Sequence, residues 1–241
     1  MRRNPDTLSL QNLPILPSDL TSFLQNNLAM PRKIVPASAD HPYHIVARAR
    51  NREWFPIARS EVWSIMEDYL FFISHAYGIE ILSFVLMDNH FHMIVRDPQQ
   101  NLGEAMNYFM KETSRHMSTK AGIINQIYGS RYHKTLISNP LHYLHAYKYV
   151  YRNPVEAGLC SKVQDYPHST LSISLGMHRL NFPIYPDNTL FESPDSILSW
   201  LNAAPDPRDK EIVQKALRKS EFKIPTIRKN QRPHRLTSLP Y

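Results

Sequence analysis

Two histidines separated by one residue are the first feature of the sequence that could carry chemistry. They are His90 and His92, with Phe91 between them. Side chains two residues apart on a β-strand point to the same face, so both imidazoles would project together while Phe91 enters the core. Imidazoles placed side by side in this way suit a divalent metal ion. With 12 histidines in 241 residues such a pair also arises by chance. The spacing alone therefore leaves a metal site and an ordinary pair of histidines open.

A tyrosine-rich segment is the second feature. Residues 147–159 have the sequence YKYVYRNPVEAGL. On a helix, Tyr149 and Asn153 are four residues apart and share one face. A tyrosine hydroxyl beside a metal-bound phosphate is a candidate nucleophile. The segment also fits a purely structural interpretation, in which the tyrosines are packing residues. In that interpretation Asn153, Pro154 and Glu156 begin a following turn as N-cap, first-turn proline and capping-box acid.

The elements that must position these residues follow from the hydrophobic pattern. The pattern predicts strands at 43–50, 79–87, 90–96 and 133–138, and helices at 56–77, 102–120 and 139–152. This β-α-β-β-α-β order with one further helix is that of a ferredoxin-like split βαβ fold, an α+β fold with an antiparallel sheet. The histidine pair then lies on the third strand, and the tyrosine segment lies on the last helix.

Three segments are predicted along the chain. Residues 1–40 are rich in proline and form an N-terminal arm, with one short helix near 18–29. Residues 41–170 form the domain that carries both motifs, and residues 171–241 form a C-terminal extension with a helix at 208–220 and a basic tail.

Composition excludes several classes of protein. A hydrophobic content of 42% is enough to bury a core, so the chain is not disordered as a whole. The sequence shows no signal-peptide pattern, and its apolar runs are shorter than the ~18 residues that span a bilayer. Cys160 is the single cysteine, which excludes an intramolecular disulfide and a cysteine zinc cage. Glycine-rich nucleotide-binding motifs are absent. We expect a cytoplasmic protein in a reducing compartment, without a membrane or nucleotide cofactor.

The positive charge is concentrated near the C-terminus. The chain carries a net charge of +7, and residues 208–241 hold ten Lys or Arg against three Asp or Glu. This segment therefore accounts for the whole net charge. Such a tail either contacts a polyanion or is simply solvated, and nucleic acid is a candidate partner.

Three motifs, in the correct order and spacing, resemble one known family. They are YHIVARARNRE near the first strand, FVLMDNHFHMIVRDP around the histidine pair, and YVYRNPVEAGLC on the tyrosine helix, which is followed by DYPHSTLS. Together they are similar to the REP-associated tyrosine transposases, relatives of the IS200/IS605 single-strand transposases in the HUH superfamily. The resemblance covers about half of the chain. An Asp-Asn turn stands before the histidine pair where the family more usually has Pro-Asn.

The resemblance implies a metal site formed by His90, His92 and Asn153, holding Mg²⁺ or Mn²⁺. The IS200-type enzymes more often have Gln at the position of Asn153. The resemblance also implies that Tyr149 is the nucleophile. Helix geometry agrees, because Tyr147 and Tyr151 are rotated from Tyr149 by roughly 160–200°.

The activity implied by the resemblance is a metal-dependent single-stranded DNA endonuclease and strand transferase. It acts on REP-like hairpin DNA through a covalent 5′-phosphotyrosine intermediate, and it functions as a monomer or a homodimer in the bacterial cytoplasm, associated with the nucleoid. Because the covalent bond conserves the phosphoester energy, no nucleotide cofactor is required. The candidate DNA contacts are Arg48, Arg50, Arg52, Lys111, Arg115, Arg131, Lys134, Arg228, Lys229 and Arg232.

Three alternatives differ in their chemistry. A domesticated transposase relative would bind structured nucleic acid without cutting it. Another HUH nuclease, such as a rolling-circle initiator or a relaxase, would place the two motifs similarly but would lack the NPVEAGL ending. A plain metal hydrolase would cleave without leaving a covalent protein–DNA adduct.

Overall fold

The structure is a computed structural model. It describes residues 37–177, 179–185, 194–224, 226–227 and 232–233. The helix predicted near 18–29 and nearly all of the predicted N-terminal arm lie outside the described residues. In the described part of the chain, no helix is both long enough and apolar enough to cross a membrane.

A four-stranded antiparallel sheet forms the centre of the fold. Its strands are β1 (Tyr43–Arg48), β2 (Glu80–Leu86), β3 (His90–Arg96) and β4 (His133–Leu136). They lie in the order β2-β3-β1-β4, so β3 is inserted between the two strands that the first helix connects. This is the split βαβ arrangement, and the predicted ferredoxin-like α+β fold is confirmed.

The helices surround this sheet. They are α1 (Arg59–Ala76), α2 (Leu102–Ala121), α3 (Pro140–Glu156), α4 (Leu171–Ser174), α5 (Pro194–Asn202) and α6 (Pro207–Ala216). Two short 3₁₀ turns lie at Arg50–Arg52 and Val163–Asp165. A two-residue ladder joins β5 (Thr226–Ile227) to β6 (Arg232–Pro233).

The predicted end of α3 was wrong. The helix continues to Glu156 and contains Pro154, so Asn153 and Pro154 do not begin a new turn. A proline inside a helix leaves the carbonyl four residues earlier without its usual donor. That carbonyl belongs to Val150, and the side-chain Nδ2 of Asn153 lies 3.5 Å from its oxygen. The amide of Asn153 thus compensates for part of the bond that Pro154 removes.

Both faces of the sheet are buried, and the two-residue period of each strand separates two cores. Ile45, Phe91 and Met93 face α1 and α2 in the first core. Val85 and Ile94 face the other way, into a second core with α3, α5 and α6. The histidines of β3 alternate with the first set, and they therefore lie on the side of α3.

The end of the DYPHSTLS segment fixes α3 against the edge strand β2. The backbone N–H of Thr170 donates to the carbonyl of Phe84 (2.9 Å), and the N–H of Phe84 donates to the Thr170 hydroxyl (2.8 Å). The same hydroxyl lies 2.9 Å from the buried hydroxyl of Tyr151 on α3. Tyr151 is therefore a packing residue that sets the position of α3.

Hydrogen bonds attach the C-terminal segment to the domain. The Nη1 of Arg152 donates to the carbonyl oxygens of Leu201 (2.9 Å) and Asn202 (2.7 Å) at the end of α5. Beyond α6, the chain lies along β4, where the N–H of Phe222 donates to the carbonyl of Leu136 (2.8 Å). Residues after α6 thereby extend the sheet edge.

We expect Arg152→Leu to destabilise the fold by about 2–3 kcal/mol. The side chain of Arg152 is buried and also pairs with Glu156 at 2.8 Å, so its loss leaves the carbonyls of Leu201 and Asn202 without this donor and leaves Glu156 paired with Lys210 alone. The control is Arg115→Leu, which removes the ion pair of an exposed arginine with Glu112 and should cost much less. Urea denaturation measures both; equal losses would contradict this role for Arg152.

Candidate active site

A cavity of about 430 Å³ lies between the second face of the sheet and α3, and α6 forms a further wall. It is lined by the four side chains that the sequence predicted as a site: His90, His92, Tyr149 and Asn153. The structure therefore brings together two motifs that are more than fifty residues apart in the chain.

The pairing of β1 with β3 places charge beside the histidines. His92 lies opposite Val46, and His90 lies opposite Arg48. Because facing residues of an antiparallel pair share one side of the sheet, Arg48 and His44 also face the cavity.

Each histidine of β3 is oriented by a second residue. The Nδ1 of His90 lies 2.7 Å from the side-chain Oδ1 of Asn89. An amide oxygen only accepts, so the Nδ1 of His90 carries the proton and its Nε2 presents the lone pair. The Nδ1 of His92 lies 2.9 Å from the Nε2 of His44, and these two rings stack. Such partners on the inner nitrogen are typical of metal-ligating histidines.

Burial keeps both imidazoles neutral. It lowers the pKa of His90 to about 4, and the nearby charge of Arg48 acts in the same direction. It lowers the pKa of His92 well below the usual value. The two rings lie 4.9 Å apart between centroids. Neutral imidazole is the form that donates a lone pair to a metal.

Asn153, the third residue of the predicted donor set, also lines the cavity. Its Nδ2 donates to the carbonyl of Tyr149 (2.8 Å), which leaves the side-chain Oδ1 as the group that a cation would use. Two imidazole nitrogens and one amide oxygen fit Mg²⁺ or Mn²⁺. Among the described residues, no cluster of three or more His, Cys, Asp or Glu side chains is placed to hold a metal. The set of two histidines and one asparagine is of a different kind, and it stays a prediction.

Tyr149 is the tyrosine of α3 that faces the cavity. Its ring centroid lies 5.6 Å from that of His92, with the ring planes at 87°. Burial raises the pKa of its hydroxyl, while the positive charges of Arg218 and Arg48 act in the opposite direction. Tyr147 and Tyr151 are buried in the second core instead.

Some of the predicted DNA contacts lie at or near the cavity, and others lie on the opposite side of the sheet. Arg48 lines the cavity, and Arg50 and Arg52 are exposed in the loop that follows it. Lys111 and Arg115 lie on α2, across the sheet from the cavity, where they contact Glu112.

The remaining predicted DNA contacts also lie away from the cavity, or they lie outside the residues that the structure describes. Arg131 is exposed before β4. Lys134 lies over the ring of Tyr43, 5.2 Å from its centroid, on the side of the first core. Arg228 and Lys229 lie outside the described residues, and Arg232 is described only as backbone of β6.

The sequence interpretation missed His44 and Arg218, among other residues that line the cavity. His44 alternates with Val46 and Arg48 on the strand next to β3, so the predicted topology contained the signal that could have found it. Arg218 follows α6, about seventy residues after Tyr149, and no local pattern indicates that it reaches the cavity.

The fold and the cavity define an α+β domain in which a pair of strand histidines faces a tyrosine helix. Residues 37–150 match the family described as "Transposase IS200 like". The resemblance inferred from the sequence is confirmed over these residues, which are similar to this transposase family and make up just under half of the chain. No curated protein matches the chain.

Solved structures are also similar to the chain. A REP-associated tyrosine transposase bound to a REP hairpin is 19% identical, with a TM-score of 0.51, over 64% of this chain and 92% of its own. A candidate transposase from Deinococcus radiodurans is 16% identical, with a TM-score of 0.35, over 46% of this chain and 90% of its own.

We expect His145→Gln to reduce the loss of stability in acid. His145 is buried at the cavity wall, and burial lowers its pKa to about 4, with His142 and Lys148 acting in the same direction and Asp209 in the opposite one. Below a pH of about 6.5 the unfolded chain binds a proton that the folded chain does not, so stability falls between that pH and about 4.

The measurement is urea denaturation of wild type and His145→Gln at pH 7 and pH 4.5. The fall in the free energy of unfolding should be smaller in the variant by roughly 2 kcal/mol. Equal falls in the two proteins would show that His145 is not buried in its neutral form.

Proposed function

We propose that the protein is a metal-dependent single-stranded DNA endonuclease and strand transferase, acting on hairpin DNA through a 5′-phosphotyrosine at Tyr149. The observation that carries this proposal is the juxtaposition of Tyr149 with His92 in a cavity that also contains His90, Asn153 and Arg48. A nucleophile, neutral metal ligands and positive charge are the three components of metal-assisted phosphoryl transfer by a tyrosine.

His90, His92 and Asn153 are the residues that would hold Mg²⁺ or Mn²⁺. When bound, the ion would supply Lewis-acid polarisation of an oxygen of the scissile phosphate. The donor set is neutral, in contrast to carboxylate-rich magnesium sites, and imidazole ligands also suit Mn²⁺.

Tyr149 performs the bond-forming step of the proposed reaction. Its hydroxyl oxygen attacks the phosphorus of one phosphodiester and loses its proton. The bond from phosphorus to the 3′ oxygen breaks, and that oxygen leaves as a 3′-hydroxyl after gaining a proton. The DNA fragment that follows the broken bond stays joined to the tyrosine through its 5′-phosphate. Attack by a 3′-hydroxyl on this linkage reverses the chemistry and joins strands without a nucleotide cofactor.

The cavity is electrostatically suited to a phosphate. Five basic side chains line it, namely Arg48, Lys148, Arg152, Lys210 and Arg218. The acidic side chains in its lining are Glu156 and Asp209. Of the basic side chains, Arg48 and Arg218 act on the hydroxyl of Tyr149, where they oppose the effect of burial on its pKa. The same charges would stabilise the phenolate and the charge on the attacked phosphate.

Hairpin DNA is the substrate class we infer. The similar REP-associated tyrosine transposase was solved with a REP hairpin. This chain adds exposed Arg50 and Arg52 beside the cavity and a C-terminal segment rich in Lys and Arg. Binding through these residues should weaken as salt rises. We place the protein with the nucleoid in the bacterial cytoplasm, as a monomer or a homodimer.

We expect Tyr149→Phe to abolish covalent adduct formation without loss of stability. The probes are end-labelled hairpins with single-stranded flanks, drawn from palindromes of the encoding genome and incubated with Mg²⁺, Mn²⁺ or EDTA. Wild type should give a shifted protein–DNA band on a denaturing gel that requires the metal. Tyr151→Phe is the control on the same helix: losing its hydrogen bond to Thr170 should cost about 1 kcal/mol of stability but keep the adduct.

Other outcomes would contradict the proposal in different ways. Metal-dependent cleavage without an adduct would indicate an activated water. An adduct that persists in Tyr149→Phe would assign another nucleophile. Tight binding without cleavage of any probe would favour a domesticated, binding-only protein.

We also expect Arg218→Ala to slow adduct formation by roughly tenfold to a hundredfold, because one of two cations near the Tyr149 hydroxyl is lost. Lys219→Ala is the matched control, since it removes the same charge from the next residue, which is exposed and does not line the cavity. Single-turnover kinetics would compare the two variants. Equal rates would show that Arg218 contributes only general positive charge.

A further inference from the structure

Trp54 is unusually exposed for a tryptophan. Its exposed fraction is 75%, whereas Trp200 is 8% exposed and Trp63 packs on the ring of Phe84. Single apolar side chains at a surface are common, so exposure alone carries no conclusion. Trp54 is distinguished by the segment that presents it, residues 49–55, which we call the Trp54 loop.

The Trp54 loop has a strained but fixed backbone. Asn51 and Arg52 both adopt positive φ angles, 55° and 62°, which non-glycine residues rarely do. Hydrogen bonds hold the loop at both ends: the N–H of Arg50 donates to the carbonyl of Ile127, and that of Phe55 donates to the carbonyl of Asp88, each at 2.8 Å. Strain that the surrounding structure maintains is characteristic of functional segments.

One side chain joins the Trp54 loop to the candidate metal site. The Nδ2 of Asn89 donates to the carbonyl of Arg52 (2.7 Å), and its Oδ1 accepts from the Nδ1 of His90 (2.7 Å). The backbone of Asn89 also accepts from the N–H of Ala49 (2.8 Å). These hydrogen bonds fix the position of the loop relative to His90, a predicted metal ligand. A DNA strand bound at the loop would therefore continue toward the cavity.

The residue types of the Trp54 loop indicate what kind of partner it would bind. The neighbours of Trp54 in the loop are polar or charged, with Arg50, Asn51, Arg52 and Glu53 all exposed. An apolar protein interface would need a continuous apolar patch, which the loop lacks. An aromatic face between cations suits an unpaired base with its phosphates, because the faces of bases in a duplex are already stacked.

We propose that Trp54 stacks on an unpaired base of the single-stranded DNA flank beside the scissile phosphate, and that Arg50 and Arg52 contact the phosphates of that flank. The loop is thus a single-strand binding subsite next to the catalytic cavity. This inference rests on the proposed function, and it adds the residue that distinguishes single-stranded flank from duplex stem.

The test measures binding in EDTA, so that cleavage plays no part. The probes are a labelled hairpin with oligothymidine flanks and the same hairpin without flanks. Trp54→Ala should weaken binding of the flanked hairpin on the order of tenfold and leave the blunt hairpin unchanged. Trp54→Phe keeps an aromatic face and should stay within about threefold of wild type. Phe71→Ala, which removes an exposed aromatic from α1, is the control and should change neither affinity.

Tryptophan emission gives a second readout. The flanked hairpin should quench the emission of wild type, and Trp54→Phe should remove that quenching, because the other two tryptophans are packed in the fold. The inference is overturned if Trp54→Ala binds the flanked hairpin like wild type, or loses affinity for both hairpins equally.

The two proposals fail separately. A Trp54 effect without any adduct would contradict the proposed chemistry and support the subsite. An adduct in wild type without a Trp54 effect would contradict the subsite alone. Absence of binding to either hairpin would contradict both.

Discussion

The burial of both faces of one antiparallel sheet is the constraint on which the rest of the structure depends. Because side chains alternate along β1 and β3, each strand must sort its residues between two cores. Phe91 and Met93 fill the first core, and His90 and His92 face α3. A slip of one residue would exchange the two sets and would bury the imidazoles against α1 and α2. The register that stabilises the core is thus also the register that forms the cavity.

Helix α3 connects the layers through neighbouring residues with different tasks. Tyr149 faces the cavity, Tyr151 binds the segment along β2, and Arg152 holds the end of α5. Residues 37–150 match the transposase family, and α6 lies beyond that match. The last wall of the cavity, including Arg218, therefore comes from a segment outside the matched residues.

Much of this arrangement follows from local signals in the sequence. The bounds of β3 are those predicted, because the Asp-Asn turn precedes an alternating run, and α2 begins as predicted at Leu102. The end of α3 was mispredicted, because Pro154 also fits the start of a turn, and residue types alone do not show that the amide of Asn153 reaches the Val150 carbonyl within the same helix. His44 was overlooked as a single histidine, although its partner His92 lies on the adjacent strand. The reach of Arg218 and the exposure of Trp54 depend on packing between distant segments, which hydrophobic periodicity does not encode.

Mass spectrometry of the protein–DNA adduct tests the central claim most directly. After digestion with nuclease and protease, the account predicts one nucleotide joined through its 5′-phosphate to Tyr149, distinguished by fragmentation from Tyr147 and Tyr151 in the same peptide. A nucleotide on either of those buried tyrosines, or one joined through a 3′-phosphate, would contradict the assignment of the cavity as the site of strand cleavage.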